Sequence, residues 1–269
     1  MHALAGKTAL VTGASRGIGR AIAQRLSTDG ALVAVHYCSN DNAATETIHA
    51  IQNAGGRAFP IRAELGTLAG IDTLFAGLES GLKGQLLDIL VNNAAIGGQE
   101  RAIEETTPEE FDRMFAVNVR APFFIIQRAL RCMREGGRIV NISSAVTRIA
   151  IPRELAYSMT KGAVNTLGRT LAIAVGARGI TVNTVAPGIT ETGKLAFLHE
   201  HPEIEAGTKA STALGRFGFP DDIAEVVAFL VSHDARWVTG QLLDVSGGLF
   251  LGPPEMIGRD HPFNPPRGC

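Results

Sequence analysis

The sequence is short of cysteine, of aromatic residues and of net charge, and each shortage removes a class of protein. Its three cysteines, Cys38, Cys132 and Cys269, have neither metal-ligand spacing nor an even-numbered framework, which excludes a disulfide scaffold and suits free thiols in a reducing compartment. Lys and Arg number 25 against 26 Asp and Glu, a formal net charge of −1, so no sequence-wide basic field exists to hold nucleic acid or an anionic membrane. No apolar run approaches the ~18 residues of a membrane-spanning helix, and the first residues lack the apolar stretch of a secretory signal. The expectation is a cytoplasmic protein with no nucleic acid and no membrane among its partners. Only 6% of residues are aromatic, but hydrophobic residues make up 45% and charged ones 19%, an ordinary globular balance. The 31 glycines are scattered, which marks element junctions and not flexible linkers.

At 269 residues the length fits one α/β domain. Apolar, β-branched runs begin at Thr8, Leu32, Ala58, Leu87, Arg138, Ile180 and Leu242. Helical patterns lie between them, at Ile18 to Ser27, Asn42 to Asn53, Pro108 to Arg134 (long and broken), Ala156 to Val175 and Pro220 to Ser232. Near-continuous apolar strands alternating with helices predict a Rossmann-type, doubly wound, seven-stranded parallel sheet with helices on both faces. The expected domain is 1–252, with a lid at about 190–214 and an appended tail at 253–269, whose Pro- and Gly-rich composition suits either disorder or reach across a subunit boundary.

Thr12-Gly13-Ala14-Ser15-Arg16-Gly17-Ile18-Gly19 sits where the first strand ends and the first helix begins, where backbone N–H groups can hold a phosphate. Glycines there permit a tight turn and close approach of a ligand to the main chain. Tyr157 and Lys161 stand four apart on a predicted helix and so share a face, which brings an ammonium toward a phenol and is expected to lower the phenol's pKa. Ser144 ends the fifth strand, at the carboxyl edge where open parallel sheets bind ligands. Taken alone, Tyr-x-x-x-Lys is usually a solvated Lys beside a half-buried Tyr; the convergence of strand end, helix face and glycine loop gives it weight.

From Lys7 to about Gly252 the motifs accumulate in one order: the glycine loop, Asn92-Asn93-Ala94-Ala95, Asn118, Ser144, Tyr157-Ser-Met-Thr-Lys161 and Pro187-Gly188-Ile189-Thr190. In this the chain resembles the short-chain dehydrogenase/reductase family, and within it the NADP-dependent 3-oxoacyl and ketone reductases. Within these motifs the departure is Ala95, where the family usually has glycine. The resemblance implies that Tyr157 protonates a carbonyl oxygen, Ser144 hydrogen-bonds it, Lys161 holds the nicotinamide ribose and depresses the Tyr157 pKa, and Asn118 anchors a proton-relay water. Asn93 and Ala94 line the cofactor site, Pro187, Gly188, Ile189 and Thr190 approach the nicotinamide, and Glu64 stands where the family has an aspartate near adenine. The resemblance further implies a homotetramer, or a dimer, built through the helices containing Asn118 and Tyr157, with Ala163, Val164, Leu167, Leu171 and Val175 as the surplus apolar surface.

The family position that carries aspartate in NAD-preferring members is Tyr37 here, within Val35-His36-Tyr37-Cys38-Ser39-Asn40. Without a carboxylate there, and with Arg16 in the loop and Ser39 and Asn40 as donors, the expected cofactor is NADP(H). His36 reads as filler at a strand end. His199 and His201 lack further ligands of credible spacing, so no metal is expected. Arg128, Arg131 and Arg134 read as a solvated helix edge, with docking of an acidic carrier protein as the other reading. Leu195, Phe197, Leu198 and Leu214 serve equally as lid packing or as a wall for a hydrophobic substrate. The function expected is NADPH-dependent reduction of a small, hydrophobic or biosynthetic ketone. Alcohol oxidation with NADP⁺ or NAD⁺, imine reduction and a non-catalytic cofactor-binding scaffold are the alternatives.

Overall fold

The computed structural model describes residues 3–97, 101–193 and 201–252. Among them, β1 (Thr8–Val11), β2 (Leu32–Tyr37), β3 (Arg57–Arg62), β4 (Leu87–Asn92), β5 (Met133–Ile142), β6 (Thr181–Pro187) and β7 (Leu242–Val245) form one parallel sheet in the order β3-β2-β1-β4-β5-β6-β7. The chain returns from β3 to pair β4 with β1, so the order reverses between β1 and β4 and leaves a crevice at their carboxyl ends.

The strands read as continuous apolar runs because both faces are covered. Ala9, Val11, Ile89, Val91 and Val140 face one layer, while Leu10, Leu90 and Ile139 face the other. The two-residue period of the strand divides each run between two cores. The first layer is formed by α1 (Gly17–Thr28), α2 (Asp41–Asn53) and α8 (Pro220–Val231), through residues such as Ile22, Leu26, Ile48, Val227 and Leu230. The second is formed by α3 (Leu68–Leu82), α5 (Ala121–Cys132) and α6 (Leu155–Val175), through Leu74, Leu78, Ile125 and Ala172.

The structure refines the sequence reading at three places. The segment between β3 and β4, outside the helical patterns read from the sequence, is α3, opened by Thr67, whose Oγ1 accepts the Gly70 N–H at 3.0 Å. The long helical region after Pro108 is α4 (Pro108–Phe115), a π-helical turn at Ala116–Arg120, and α5. It ends at Cys132 and not at Arg134, because Met133 pairs with Leu87 at the start of β5. Within the expected lid, α7 (Pro202–Ala210) is a helix; Leu195, Phe197, Leu198 and His199 lie outside the described residues, as does the tail 253–269. No helix among the described residues is long and apolar enough to cross a membrane.

Candidate active site

The site is assembled from the loops that leave the carboxyl ends of the central strands. After β1, the glycine loop is locked to the turn that follows β4. Thr12 Oγ1 accepts the N–H groups of Asn93 and Ala94, each at 3.0 Å, and Asn93 Nδ2 donates to the carbonyls of Thr12 at 2.8 Å and Gly13 at 3.1 Å. The side-chain amide of Asn93, expected at the cofactor, is thus committed to shaping the loop. A Cβ on Gly19 would stand 2.3 Å from the Gly13 carbonyl oxygen, so only glycine lets α1 begin this close to the loop. Arg16 at the N-cap of α1 makes no side-chain cap, which leaves the first-turn N–H groups to an anion. Opposite, Thr192 reaches to 3.2 Å from where a Gly17 Cβ would be, so the segment after β6 overhangs the loop.

That segment carries the other predicted contacts. Pro187 ends β6 in the core, Gly188 N–H donates to the Val245 carbonyl at 3.3 Å, and a Cβ on Gly188 would lie 2.8 Å from Ser246. Ile189 and Thr190 are held by a bridge to Gly218, with Gly218 N–H donating to the Ile189 carbonyl at 2.9 Å.

At the end of β2 the residues differ from their expected roles. Asn40 caps α2, its Oδ1 accepting the Ala43 N–H at 2.9 Å, while Ser39 and Arg16 are exposed. A carboxylate does stand here: Asp41, the first residue of α2, accepts the Tyr37 hydroxyl at 2.9 Å and pairs with Arg62 at 3.4 Å. Arg62 therefore brings a cation to the end of β2. Glu64 accepts from Cys38 Sγ and from Gly66 N–H, both at 3.0 Å, and these bonds, Cys38 first, hold its carboxyl below the usual carboxylate range. His36, read as filler, is only 2% exposed and is bonded at both ring nitrogens.

On the other side of the crevice stand Ser144, Tyr157 and Lys161. Ser144 follows β5, its Oγ accepts the Val146 N–H at 3.3 Å, and its hydroxyl hydrogen-bonds the phenol of Tyr157. Ser143 is buried and points away, its Oγ donating to the Lys161 carbonyl at 3.4 Å. Lys161, one turn after Tyr157 on α6, places its ammonium 5.5 Å from the phenol ring centre and donates to the Ile142 carbonyl at 2.9 Å. The Tyr157 hydroxyl is not made more acidic in this arrangement. Burial, with Glu154 nearby adding to it, pushes it up to about 12, while the Ser144 bond acts in the opposite direction.

Asn118 lies buried in the π-helical turn. Its Oδ1 accepts the Ile96 N–H at 2.9 Å, and its Nδ2 donates to the Ile96 carbonyl at 2.8 Å and to Thr160 Oγ1 at 3.2 Å. Thr160 in turn donates to the Tyr157 carbonyl at 2.7 Å. Both amide hydrogens are therefore used in tying the turn after β4 to the helix that bears Tyr157. Beside Tyr157 a cavity of about 310 Å³ opens between Ile96, Met114 and Leu155, with Arg101, Arg113 and Arg153 at its walls. The sequence reading named none of these six, because they come from three separate segments.

A model of the short-chain dehydrogenases/reductases, described as Enoyl-(Acyl carrier protein) reductase, matches residues 13–250. The chain belongs to the short-chain dehydrogenase/reductase family. This dehydrogenase/reductase is 42% identical to versicolorin reductase 1 of Aspergillus parasiticus over 260 residues, covering 93% of this chain and 98% of that protein. Among solved structures it is similar to LugOII, described as a promiscuous reductase that catalyses keto-reduction at C1 during lugdunomycin biosynthesis (53% identity, TM-score 0.88, 92% of this chain and 99% of that one). It is equally similar to the angucycline C-6 ketoreductase LanV with bound NADP (53% identity, TM-score 0.88, 93% and 97%).

Proposed function

We propose that this enzyme reduces a ketone of the polyketide class with NADPH, in the cytoplasm and as a homotetramer. The observation that carries the chemistry is a phenol kept protonated at neutral pH, hydrogen-bonded by Ser144, in the wall of a cavity formed by the turn after β4, α4 and the start of α6. The relatives named as ketoreductases, one of them with NADP bound, support the substrate and cofactor class over the C=C reduction that the family model's description names.

The residues present fit the dinucleotide: a glycine cradle that a Cβ would fill, an uncapped helix start, and Arg16 with Arg62 near the end of β2. In this reading the amides of Ser15 to Gly19 take the pyrophosphate, Arg16, Ser39 and Arg62 the 2′-phosphate, Lys161 the nicotinamide ribose, and Ile189 and Thr190 the carboxamide. When bound, the reduced nicotinamide supplies hydride. Tyr157 donates its proton to the carbonyl oxygen, and Ser144 donates a hydrogen bond to the same oxygen as charge develops there. Lys161 stabilises the phenolate left behind, and Asn118 sets the position of α6 through Ile96 and Thr160. The rigid site contributes by orientation, holding the carbonyl where the hydride arrives.

Tetramer assembly is supported by apolar side chains on α5 and α6 that the core does not use. They are Phe123, Met159 and Ile173; of the set expected from the sequence, Val164 and Val175 are buried in the core, while Ala163, Leu167 and Leu171 are half-buried, the two leucines packing against the core.

The test is Tyr157→Phe, assayed by NADPH oxidation with a ketone panel that includes rabelomycin, the molecule bound in a second LanV structure. Turnover is expected to fall by roughly 10²–10⁴-fold with the NADPH dissociation constant unchanged. Undiminished turnover would remove Tyr157 from its role, and wild-type protein that reduces none of the ketones would overturn the activity.

A further inference from the structure

We propose that His36 is a positioning residue for the dinucleotide: its imidazole bridges the Gly13 N–H and the Ala63 carbonyl, fixing the glycine loop against the wall of the adenosine pocket. The inference rests on the reading that this loop and the ends of β2 and β3 hold NADP(H).

His36 lies next to last in β2, between the two elements that it joins. Its Nδ1 accepts the Gly13 N–H at 3.0 Å, and its Nε2 lies 3.1 Å from the Ala63 carbonyl oxygen. An amide can only donate and a carbonyl can only accept, so the partners select one neutral tautomer, bare at Nδ1 and protonated at Nε2. His36 also takes the next loop amide on its own carbonyl, from Ala14 N–H at 2.8 Å. Two successive loop amides are thus turned inward onto one residue. Gly13 adopts φ +64°, in the left-handed region, as the chain makes this inward turn. The amides from Ser15 onward and the first turn of α1 then remain for the ligand. At the far end, Ala63 N–H donates to the Tyr37 carbonyl at 3.0 Å, and the next residue is Glu64, tied to Cys38 and Gly66. The imidazole therefore couples the carboxyl ends of three adjacent strands, all on the adenosine side of the crevice and away from Tyr157.

Burial keeps the ring neutral, lowering its pKa to about 4 against the weaker opposing pull of the Ala63 carbonyl and of Glu64. Both hydrogen bonds thus persist at physiological pH. Removing the acceptor would leave the half-buried Gly13 N–H without this partner and the loop without one of the bonds that orient it.

The experiment measures the dissociation constants of NADPH and of adenosine 2′,5′-bisphosphate, together with the melting temperature and kcat at saturating NADPH, for His36→Phe, His36→Asn and His36→Gln. His36→Phe keeps the ring and removes both bonds. Asn places its Oδ1 where Nδ1 stood and restores the Gly13 bond, whereas Gln reaches toward Ala63 and does not. Both dissociation constants are expected to rise roughly tenfold in His36→Phe, with kcat at saturation within about twofold of wild type, and to return most of the way in His36→Asn but not in His36→Gln. A folded His36→Phe that binds both ligands as wild type does would overturn the proposal. So would a lowered melting temperature with unchanged affinity. If His36→Phe does not fold, the Asn and Gln variants decide: unequal affinity in favour of Asn supports the proposal, and equal affinity overturns it. Arg16→Ala separates the two readings. If it leaves bisphosphate binding untouched, the placement of the 2′-phosphate at this loop fails; if it weakens binding while the His36 variants do not, only the His36 inference fails.

Discussion

A tyrosine on a free chain loses its proton near pH 10, and at position 157 burial and the carboxylate of Glu154 push this to about 12 despite the bond from Ser144. A raised acid stays protonated far above neutrality, so in the unliganded enzyme Tyr157 keeps its proton at every physiological pH and is a weaker acid than a free tyrosine. In the unliganded enzyme, ultraviolet difference absorbance should accordingly show no phenolate from Tyr157 between about pH 6 and 9. A phenolate signal in that window that vanishes in Tyr157→Phe would contradict the shift. His36 has the opposite shift, from 6.5 to about 4. The unfolded chain then binds a proton that the folded one refuses, so the stabilisation is complete above pH 6.5 and is lost as pH falls toward 4. Urea unfolding of wild type and His36→Asn at pH 7 and pH 4.5 should show the wild type losing about 2–3 kcal/mol more than the variant. The glycine loop, Ser144, Tyr157 and Lys161 were legible as short-range patterns at strand ends and on one helix face. The roles of His36, Asn93 and Asp41 were not, since their partners are chosen by which strands lie side by side: Asn93 bonds a loop 80 residues earlier in the chain.

Among the elements, the junction of β1 and α1 is the most constrained. A methyl group on Gly19 would meet the Gly13 carbonyl oxygen at 2.3 Å and Asn93 Nδ2 at 2.4 Å, neither of which can retreat without breaking the loop's own hydrogen bonds. Gly19→Ala is expected to cost roughly 1–3 kcal/mol of stability and to weaken NADPH binding at least tenfold, measurable by thermal unfolding and by titration. Gly207 in α7 has nothing within 4 Å of its would-be Cβ, so Gly207→Ala should instead stabilise by roughly 0.5–1 kcal/mol. The same logic explains why α3 escaped the sequence reading. Its apolar stripe, Ile71, Leu74, Leu78 and Leu82, is regular, but Gly77 and Gly81 interrupt the helical signal. Those glycines are what lets the helix lie against Ile61 and Phe59 of β3, where an added Cβ would come within 2.7 and 2.0 Å. The π-helical turn at Ala116–Arg120 was legible only as a break in a long helix; its purpose, presenting Asn118 to Ile96 and Thr160, depends on elements that meet it in space.

At the scale of the molecule, the unused apolar surface on α5 and α6 is what supports the proposed tetramer. Ile173 is 87% exposed, and with Phe123 and Met159 it offers apolar surface on these helices that the proposed partner subunit would cover. Ile173→Lys should shift the protein from tetramer to a smaller species in light scattering while leaving its monomer fold intact by circular dichroism; a wild type that is monomeric at micromolar concentration would refute the assembly. The sequence by itself determined the alternation of strand and helix, the count of seven strands, the parallel sheet covered on both faces and the line of motifs along its carboxyl edge. These follow from periodicities and turn residues that act within a few positions of one another. Only the tertiary structure decided that β4 lies beside β1, that a histidine clamps the glycine loop, that a carboxylate and a second arginine meet at the end of β2, and that burial raises the pKa of the phenol. Each of those depends on hydrogen bonds and burial between residues far apart in the chain, and their energies exist only once the sheet has brought the partners together.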